Sequence, residues 1–214
     1  MPVYTFRDAT IDDVDFIVEA IIEAEKSGSR ILSYSRVFNL SEKELKNIFR
    51  LMLLEEIDGC EFSISSYILA ETENKVVGTI GAWVERKEQP SFMIKSNLLM
   101  FFLPESSKIT ASNAAKITSE LIIDHVKDAL SLVVVYISPA HRGNFLFQRL
   151  TDEHIKRNEG IKELSVQVMA NNLYAIRSYE RYGFRKEFVV KSDNGEIKQF
   201  LPYNEKILMK KSLK

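Results

Sequence analysis

Residues Val133–Leu150, VVVYISPAHRGNFLFQRL, contain the change of pattern that decides the fold. The segment begins with a nearly continuous apolar run, Leu132–Ile137, which is typical of a strand at the centre of a sheet. Pro139 ends this strand, and a helix is predicted from about Asn144 to Asn158. The first N–H groups of a helix lack intrahelical partners and carry partial positive charge. Because Arg142 adds a full charge at this point, the turn is a candidate phosphate site, although a solvated surface arginine is the simpler alternative.

A second strand-then-helix pattern occurs in Val166–Phe184, VQVMANNLYAIRSYERYGF. The strand is predicted at Leu164–Met169 and the helix at Asn172–Tyr182, with Gly183 as its C-terminal stop. Residues three or four positions apart share one face of this helix, namely Asn172, Ala175, Tyr179 and Tyr182. By itself this face is also compatible with ordinary helix packing.

The rest of the chain has the pattern of one mixed α/β domain, which we expect to span residues 1–214. Two helices have capping signals at their starts, Thr10 with Asp13 and Ser41 with Glu44, and the second runs to about Glu56. A further helix is predicted at Ala114–Val126. The other predicted strands are Val3–Arg7, Phe62–Ala70, Val76–Glu85, Phe184–Lys191 and Lys198–Met209, the last two joined by a hairpin turn at Asp193-Asn194-Gly195. Residues 86–129 break the strand rhythm and form an insertion before the central strand.

The composition excludes several classes of protein. Lys and Arg total 29 and Asp and Glu total 30, so the net charge of -1 gives no support for a nucleic-acid partner. The longest apolar cluster, Leu98–Leu103, is far shorter than the ~18 residues of a membrane span. The single cysteine, Cys60, has no internal disulfide partner, and the first residues lack the features of a signal peptide. We therefore expect a cytoplasmic protein without a membrane partner; its oligomeric state stays open, a homodimer included.

Together and in this order, the two stretches resemble the GNAT superfamily, the acyl-CoA-dependent N-acetyltransferases. In that family an Arg/Gln-x-x-Gly-x-Gly/Ala turn follows the central strand, and this turn resembles Arg142–Phe147 here. The later family motif, an Asn, an Ala three residues on and then Tyr-Glu-x-x-Gly-Phe, is nearly complete at Asn172–Phe184. The resemblance also includes the opening strand and helix and the hairpin ending at Val76–Ile80, but not residues 86–129.

The resemblance implies a GNAT-like α/β (α+β) domain with a mixed, mostly antiparallel central sheet flanked by helices. It implies acetyl-CoA as co-substrate, no metal, and a direct attack of the acceptor amine on the thioester. Tyr179 would protonate the departing thiolate, and a backbone N–H near Tyr136 and Ile137 would stabilise the oxyanion. The cofactor-binding residues implied in this way are Tyr136, Ile137, Arg142, Gly143, Asn144, Phe145, Leu146, Phe147, Asn172 and Ala175.

One departure from the family pattern concerns affinity for CoA. Phe145 and Phe147 stand where the family has small residues, although their backbone N–H donors are retained. Residues two apart on a helix do not share a face. We therefore expect one ring to pack between the helix and the central strand and the other to lie nearer the phosphates or solvent.

The acceptor and the general base stay open at this level. An alkyl ammonium has a pKa near ~10.4 and loses a proton before it attacks. The central strand contains no acid, so the candidate bases are Glu71, Glu85, His125 and His141. The apolar cluster at 98–103 is either core or, with residues 27–40, the lining of an acceptor pocket. We expect a small-molecule amine as acceptor; the alternatives are an inactive CoA-binding sensor or interaction module, and a protein N-terminal or lysine acetyltransferase.

Overall fold

A computed structural model describes residues 2–86 and 88–213. Seven strands form one sheet in the order β1-β2-β3-β4-β5-β7-β6. The only parallel pair of neighbours among the described strands is β4 with β5, so the prediction of a mixed, mostly antiparallel sheet is confirmed. The strands are β1 Thr5–Asp8, β2 Tyr67–Thr72, β3 Lys75–Val84, β4 Leu130–Ile137, β5 Glu163–Met169, β6 Arg185–Lys191 and β7 Glu205–Ser212.

Helices flank this sheet, and two of them begin at the predicted caps. The helices are α1 Val14–Glu25, α2 Ser33–Phe38, α3 Glu42–Leu54, α4 Ser91–Phe102, α5 Glu105–Thr118, α6 Leu146–Arg157 and α7 Leu173–Tyr182. Before α1, Asp13 accepts a hydrogen bond from the Thr10 N–H at 2.8 Å, and a 3-10 turn at Ile11–Asp13 leads into the helix. Before α3, the Ser41 hydroxyl and the Glu44 carboxylate accept from each other's backbone N–H groups. Both capping predictions are confirmed.

Two groups of buried side chains hold the helices on the sheet. One joins α6 and α7 to the sheet strands through residues such as Leu146, Phe147 and Ile176. The other joins α1, α3 and α4 through residues such as Ile17 and Phe49. No helix of the described residues is long and apolar enough to cross a membrane.

The prediction for residues 86–129 is wrong in one respect. Instead of one helix at Ala114–Val126, the segment contains α4, α5 and a 3-10 turn at Ser119–Leu121, after which no helix occurs before β4. Pro90 and Pro104 are the N-cap residues of α4 and α5. A proline is tolerated at a helix start because the N–H it lacks has no intrahelical partner there. Both prolines therefore begin helices and do not interrupt the secondary structure of this segment.

The sequence prediction differs from the structure by more than two residues at three other places as well. The strand expected at Phe62–Ala70 begins only at Tyr67, after a 3-10 turn at Ile64–Ser66, and the segment 27–40 contains α2. The last strand begins at Glu205 and not at Lys198. In place of a tight hairpin, Asn194 caps a 3-10 helix at Gly195–Gln199 by accepting from the Glu196 N–H. The side chain of Ile197 in this helix is fully buried, so the connection is a packed element.

Candidate active site

The central feature of the sheet is a separation of its two parallel strands. β4 pairs with β5 only over Leu130–Leu132 against Leu164–Val166. Beyond Leu132, β4 continues along β3, but its other edge has no ladder partner among the described strands. The residues of β4 from Val133 to Ile137 therefore keep backbone groups that are not used in pairing with β5.

A bulge in β4 coincides with this separation. The register with β3 shifts between the pairs Thr79–Tyr136 and Gly81–Val133. Within the bulge, Val134 has a φ of 45°, a backbone conformation that β-branched residues rarely adopt. Such a conformation costs about 1–3 kcal/mol and persists where the surrounding structure imposes it, often beside functional sites.

A cavity of about 1480 Å³ occupies the opening between the two strands. Residues 132–137 of β4 and 165–169 of β5 form its walls in the sheet. The starts of α6 and α7, the end of α1, and residues of α2 and α4 complete its border. The cavity therefore joins the turn before α6 to the region beneath residues 27–40 and 86–129.

The residues singled out in the sequence lie along this cavity, with one exception. Those that line it are Tyr136, Ile137, Arg142, Gly143, Phe145, Leu146, Phe147, Asn172, Ala175 and Tyr179. Asn144 does not line it; its side-chain amide donates to the carbonyl of His141 at 3.1 Å and closes the turn. Gln148, Tyr174, Ser178 and Arg181 also line the cavity and were not predicted, although each lies on α6 or α7 within a turn of a motif residue.

The turn from Arg142 to Phe147 has the backbone of a glycine-rich loop. Gly143 has a φ of 83° and Phe145, the N-cap of α6, has a φ of 57°. A Cβ at Gly143 would meet no atom within 4 Å, so the turn faces open space. Arg142 is exposed, and its Nε donates to the Ile137 carbonyl at 3.0 Å. The first N–H groups of α6, which have no acceptor within the helix, together with the guanidinium and the open space have the chemistry that suits a pyrophosphate.

The two phenylalanines of this turn separate as predicted. Phe147 is 4% exposed and packs against the rings of Tyr179 and Tyr182, with centroids 5.3 and 5.6 Å away. Phe145 is 70% exposed and lies at the edge of the cavity. The larger side chains therefore leave the backbone path of the turn intact.

Tyr179 is held by packing and not by hydrogen bonds. Its ring is buried between Phe147 and Phe184. Its hydroxyl makes no hydrogen bond to another described residue, and the side chain lines the cavity. Burial raises the pKa of Tyr179 above its ordinary value, so the phenol keeps its proton at neutral pH.

Asn172 links α7 to α1. Its Oδ1 accepts from the Ala175 N–H at 3.2 Å, and its Nδ2 donates to the Ser27 hydroxyl at 3.0 Å. Gly28, with a φ of 84°, passes so close that a Cβ there would lie 2.9 Å from the Cβ of Asn172. This contact fixes the end of α1 against the start of α7.

Two of the four candidate bases lie at the cavity. Glu85 lines it, but its two oxygens accept from the Trp83 indole N–H and the Ser91 N–H, both at 2.9 Å. His125 lines it beside Trp83, and burial lowers the pKa of His125. Glu71 pairs with Arg7, and His141 with the Tyr4 hydroxyl; neither lines the cavity.

A cluster of ionisable side chains that the sequence did not reveal lines the part of the cavity bordered by α1, α2 and α4. We call this part the charged chamber and define it by Glu25, Tyr34, Glu61, Lys95 and Lys206. Lys95 forms an ion pair with Glu61, and Tyr34 accepts from Lys95 at 2.7 Å while donating to Glu61 at 3.0 Å. These residues come from five separate segments, so no local pattern indicated them.

The apolar cluster at 98–103 divides between the two roles expected of it. Leu98 and Leu103 are buried in the core with α1 and α3. Leu99 lines the cavity, as do Val37 and Phe38 of α2. Phe101, at 78% exposed, faces away from both.

Comparison with known proteins decides the family. The model described as the acetyltransferase (GNAT) family matches residues 34–184, well over half of the chain. The chain belongs to the GNAT acetyltransferase family. Members of this family use acetyl-CoA as co-substrate, so the expected co-substrate is confirmed. The match runs through residues 86–129. No curated protein sequence matched.

Solved structures have the same GNAT fold. The N-acetyltransferase from Staphylococcus aureus Mu50 is 16% identical with a TM-score of 0.69, covering 97% of this chain and 100% of that one. An apo agmatine N-acetyltransferase mutant is 15% identical with a TM-score of 0.58, covering 98% and 99%. An acetyltransferase from Salmonella typhimurium with its cofactor acetyl-CoA is 14% identical with a TM-score of 0.51, covering 99% and 95%.

Proposed function

We propose that this GNAT protein transfers acetyl from acetyl-CoA to the amine of a small molecule. The observation that carries the proposal is the cavity that passes between β4 and β5. The same cavity is lined by a turn suited to a pyrophosphate, by a protonated tyrosine and by a chamber of charged side chains. An acceptor bound in that chamber would meet the thioester at the separated strands.

Each residue of the GNAT motifs then has a task. Arg142 and the N–H groups from Gly143 to Phe147 hold the pyrophosphate. The Ser138 N–H donates to Val77 of β3, and N–H groups alternate in direction along a strand, so the Ile137 N–H points to the β4 edge that has left β5 and the Tyr136 N–H points to β3. The Ile137 N–H orients the acetyl oxygen. Asn172 and Ala175 start α7 and thereby set the position of Tyr179, whose hydroxyl holds the proton for the thiolate. Acetyl-CoA, when bound, supplies the activated acetyl group.

We propose His125 as the residue that receives the proton of the amine. Burial keeps its imidazole neutral at neutral pH, and a neutral imidazole accepts a proton. Glu85 is less suited because both of its oxygens already accept protein hydrogen bonds. We place the reaction in the cytoplasm, since Cys60 is buried and the chain has no second cysteine.

The test is a thiol-release assay with acetyl-CoA against small primary amines, lysine peptides and peptides with free N-termini. Acetylation of small amines with the highest kcat/KM supports the proposal. A preference for the peptides would instead indicate a protein acetyltransferase. Binding of CoA by calorimetry without turnover on any amine would indicate a sensor or interaction module.

Arg142→Ala should weaken CoA binding by about 10- to 150-fold. The loss corresponds to ~1.5–3 kcal/mol, the range for hydrogen bonds to charged groups. Calorimetry with CoA measures the change. Arg185→Ala on β6 removes a charge that is also exposed but lies away from the cavity, and this variant should bind CoA as the wild type does. Equal affinity of the two variants would remove Arg142 from the cofactor site.

A further inference from the structure

Not every charged side chain of the charged chamber has an ion-pair partner among the described residues. Glu61 and Lys95 pair directly, with Tyr34 bonded to both. Burial by itself would raise the pKa of Glu61. The attraction of the Lys95 ammonium has the larger effect, so the pKa of Glu61 is lowered. This group is therefore an internally satisfied ion pair, which leaves the chamber's two other charged side chains, Glu25 and Lys206, to be explained.

Glu25 and Lys206 each lack a close partner of opposite charge. Among residues 2–86 and 88–213, neither forms an ion pair within 4.0 Å. Glu25 is the last residue of α1 and has the Ser33 hydroxyl as its polar neighbour. Lys206 lies on β7 opposite Met169, the last residue of β5. Both side chains line the cavity, so a bound molecule can reach them.

The surroundings make each charge costly when the chamber holds only protein. Burial raises the pKa of Glu25 although Lys95 and Lys206 act against that shift, and burial together with the nearby Lys95 ammonium lowers the pKa of Lys206 to about 8 although Glu25 and Glu61 act against it. A charge held away from water is stabilised when it gains a partner of opposite sign. The two partners needed are a cation for Glu25 and an anion for Lys206, both within one chamber.

We infer that the acceptor is a small amino carboxylate, with its amine held by Glu25 and its carboxylate held by Lys206. The inference rests on the proposed function and names the substrate class of the same site. A dication would satisfy Glu25 but would be repelled by Lys206. A neutral amine would leave Lys206 without an anion.

The experiment compares matched acceptors that differ only in the carboxylate. Leucine, leucinamide and isoamylamine form one set, and 4-aminobutyrate and butylamine form another. At pH 7 we expect the amino carboxylate of at least one set to have a kcat/KM at least tenfold above its uncharged or decarboxylated partners. Plain amines acetylated as well as, or better than, both amino carboxylates would overturn the inference while the proposed function stood. No acetylation of any small amine would instead mean that the proposed function has failed.

Variants of two lysines on β7 assign the preference to the chamber. Lys206→Met should abolish the preference for the carboxylate, mainly through a higher acceptor KM, and Lys206→Arg should retain it. Lys210→Met is the matched control, because Lys210 lies on the same strand near Glu163 and Glu187 and outside the cavity. Glu25→Gln should raise the KM of every amine. A carboxylate preference that survives Lys206→Met in a folded protein would contradict the assignment.

The carboxylate preference should also depend on pH. Because the pKa of Lys206 is lowered to about 8, the ammonium loses its proton as the pH rises above 8, and the preference in kcat/KM should fall there. The charged groups that face Lys206 are Lys95 of α4, Glu25 of α1 and Glu61 before β2. Plain amines measured in parallel correct for deprotonation of the amine itself. Lys206→Arg should keep the preference to pH 10, since a guanidinium stays charged. If the preference of Lys206→Arg also fell above pH 8, Lys206 would not be the group that titrates.

Discussion

Tyr179→Phe should lower turnover by about 10²–10⁴-fold, the usual contribution of general acid–base catalysis. The substitution removes the hydroxyl and keeps the ring that packs between Phe147 and Phe184. Because that hydroxyl makes no hydrogen bond to a described residue, its loss leaves no buried protein group unsatisfied. Affinity for acetyl-CoA should therefore change little. Steady-state kinetics and calorimetry on one preparation measure both quantities.

Tyr182→Phe is the matched control for this experiment. Tyr182 lies three residues further along α7, packs on the same Phe147 and donates to Asp152 outside the cavity. This variant loses a hydroxyl and a surface hydrogen bond, so it should show a small change in melting temperature and wild-type turnover. Full activity of Tyr179→Phe would make Tyr179 a packing residue. An equal loss of turnover in both variants would mean that the substitutions disturb the packing of α7.

The parts of this structure that the sequence predicts are those with local causes. Ser41 and Glu44 satisfy backbone groups within one helical turn, so the start of α3 can be read from four residues. In the same way, the spacing of Asn172, Ala175 and Tyr179 defines one face of α7. Helical spacing predicts opposite environments for Phe145 and Phe147. The structure has these environments, although Phe145 is the N-cap of α6 and not a helical residue.

The parts that it does not predict depend on residues that are distant in the chain. The separation of β4 from β5 coincides with a bulge against β3, and the β-branched side chain of Val134 gives no sign of a positive φ. The charged chamber combines Glu25, Lys95 and Lys206, each of which has the pattern of an ordinary surface residue in its own segment. The helix starts at Pro90 and Pro104 are equally hard to predict, because proline occurs both where a helix breaks and where one begins.

Phe147→Ala should lower the free energy of unfolding by about 3–5 kcal/mol, whereas Phe145→Gly should leave it unchanged or raise it. Phe147 fills the core beneath α6, so its truncation removes buried area and leaves a cavity. Phe145 has an exposed ring and a φ of 57°. Glycine relieves a strain of about 1–2 kcal/mol there and loses about 0.5–1 kcal/mol in backbone entropy, so relief is the larger effect. Denaturant unfolding measures both variants.

The same pair of variants tests whether the departure from the family's glycines impairs the cofactor site. If the Phe145 ring leaves the cavity edge free, Phe145→Gly should bind CoA as the wild type does, because the N–H groups of the turn are present in both. The Phe147 variant should bind more weakly in proportion to its loss of folded protein. A wild type that does not bind CoA, beside a Phe145→Gly variant that does, would mean that the ring occupies the cofactor's place. Tyr179 would then be a retained residue of a GNAT fold that does not catalyse acetyl transfer. Calorimetry with CoA on the wild type and on Phe145→Gly separates these outcomes.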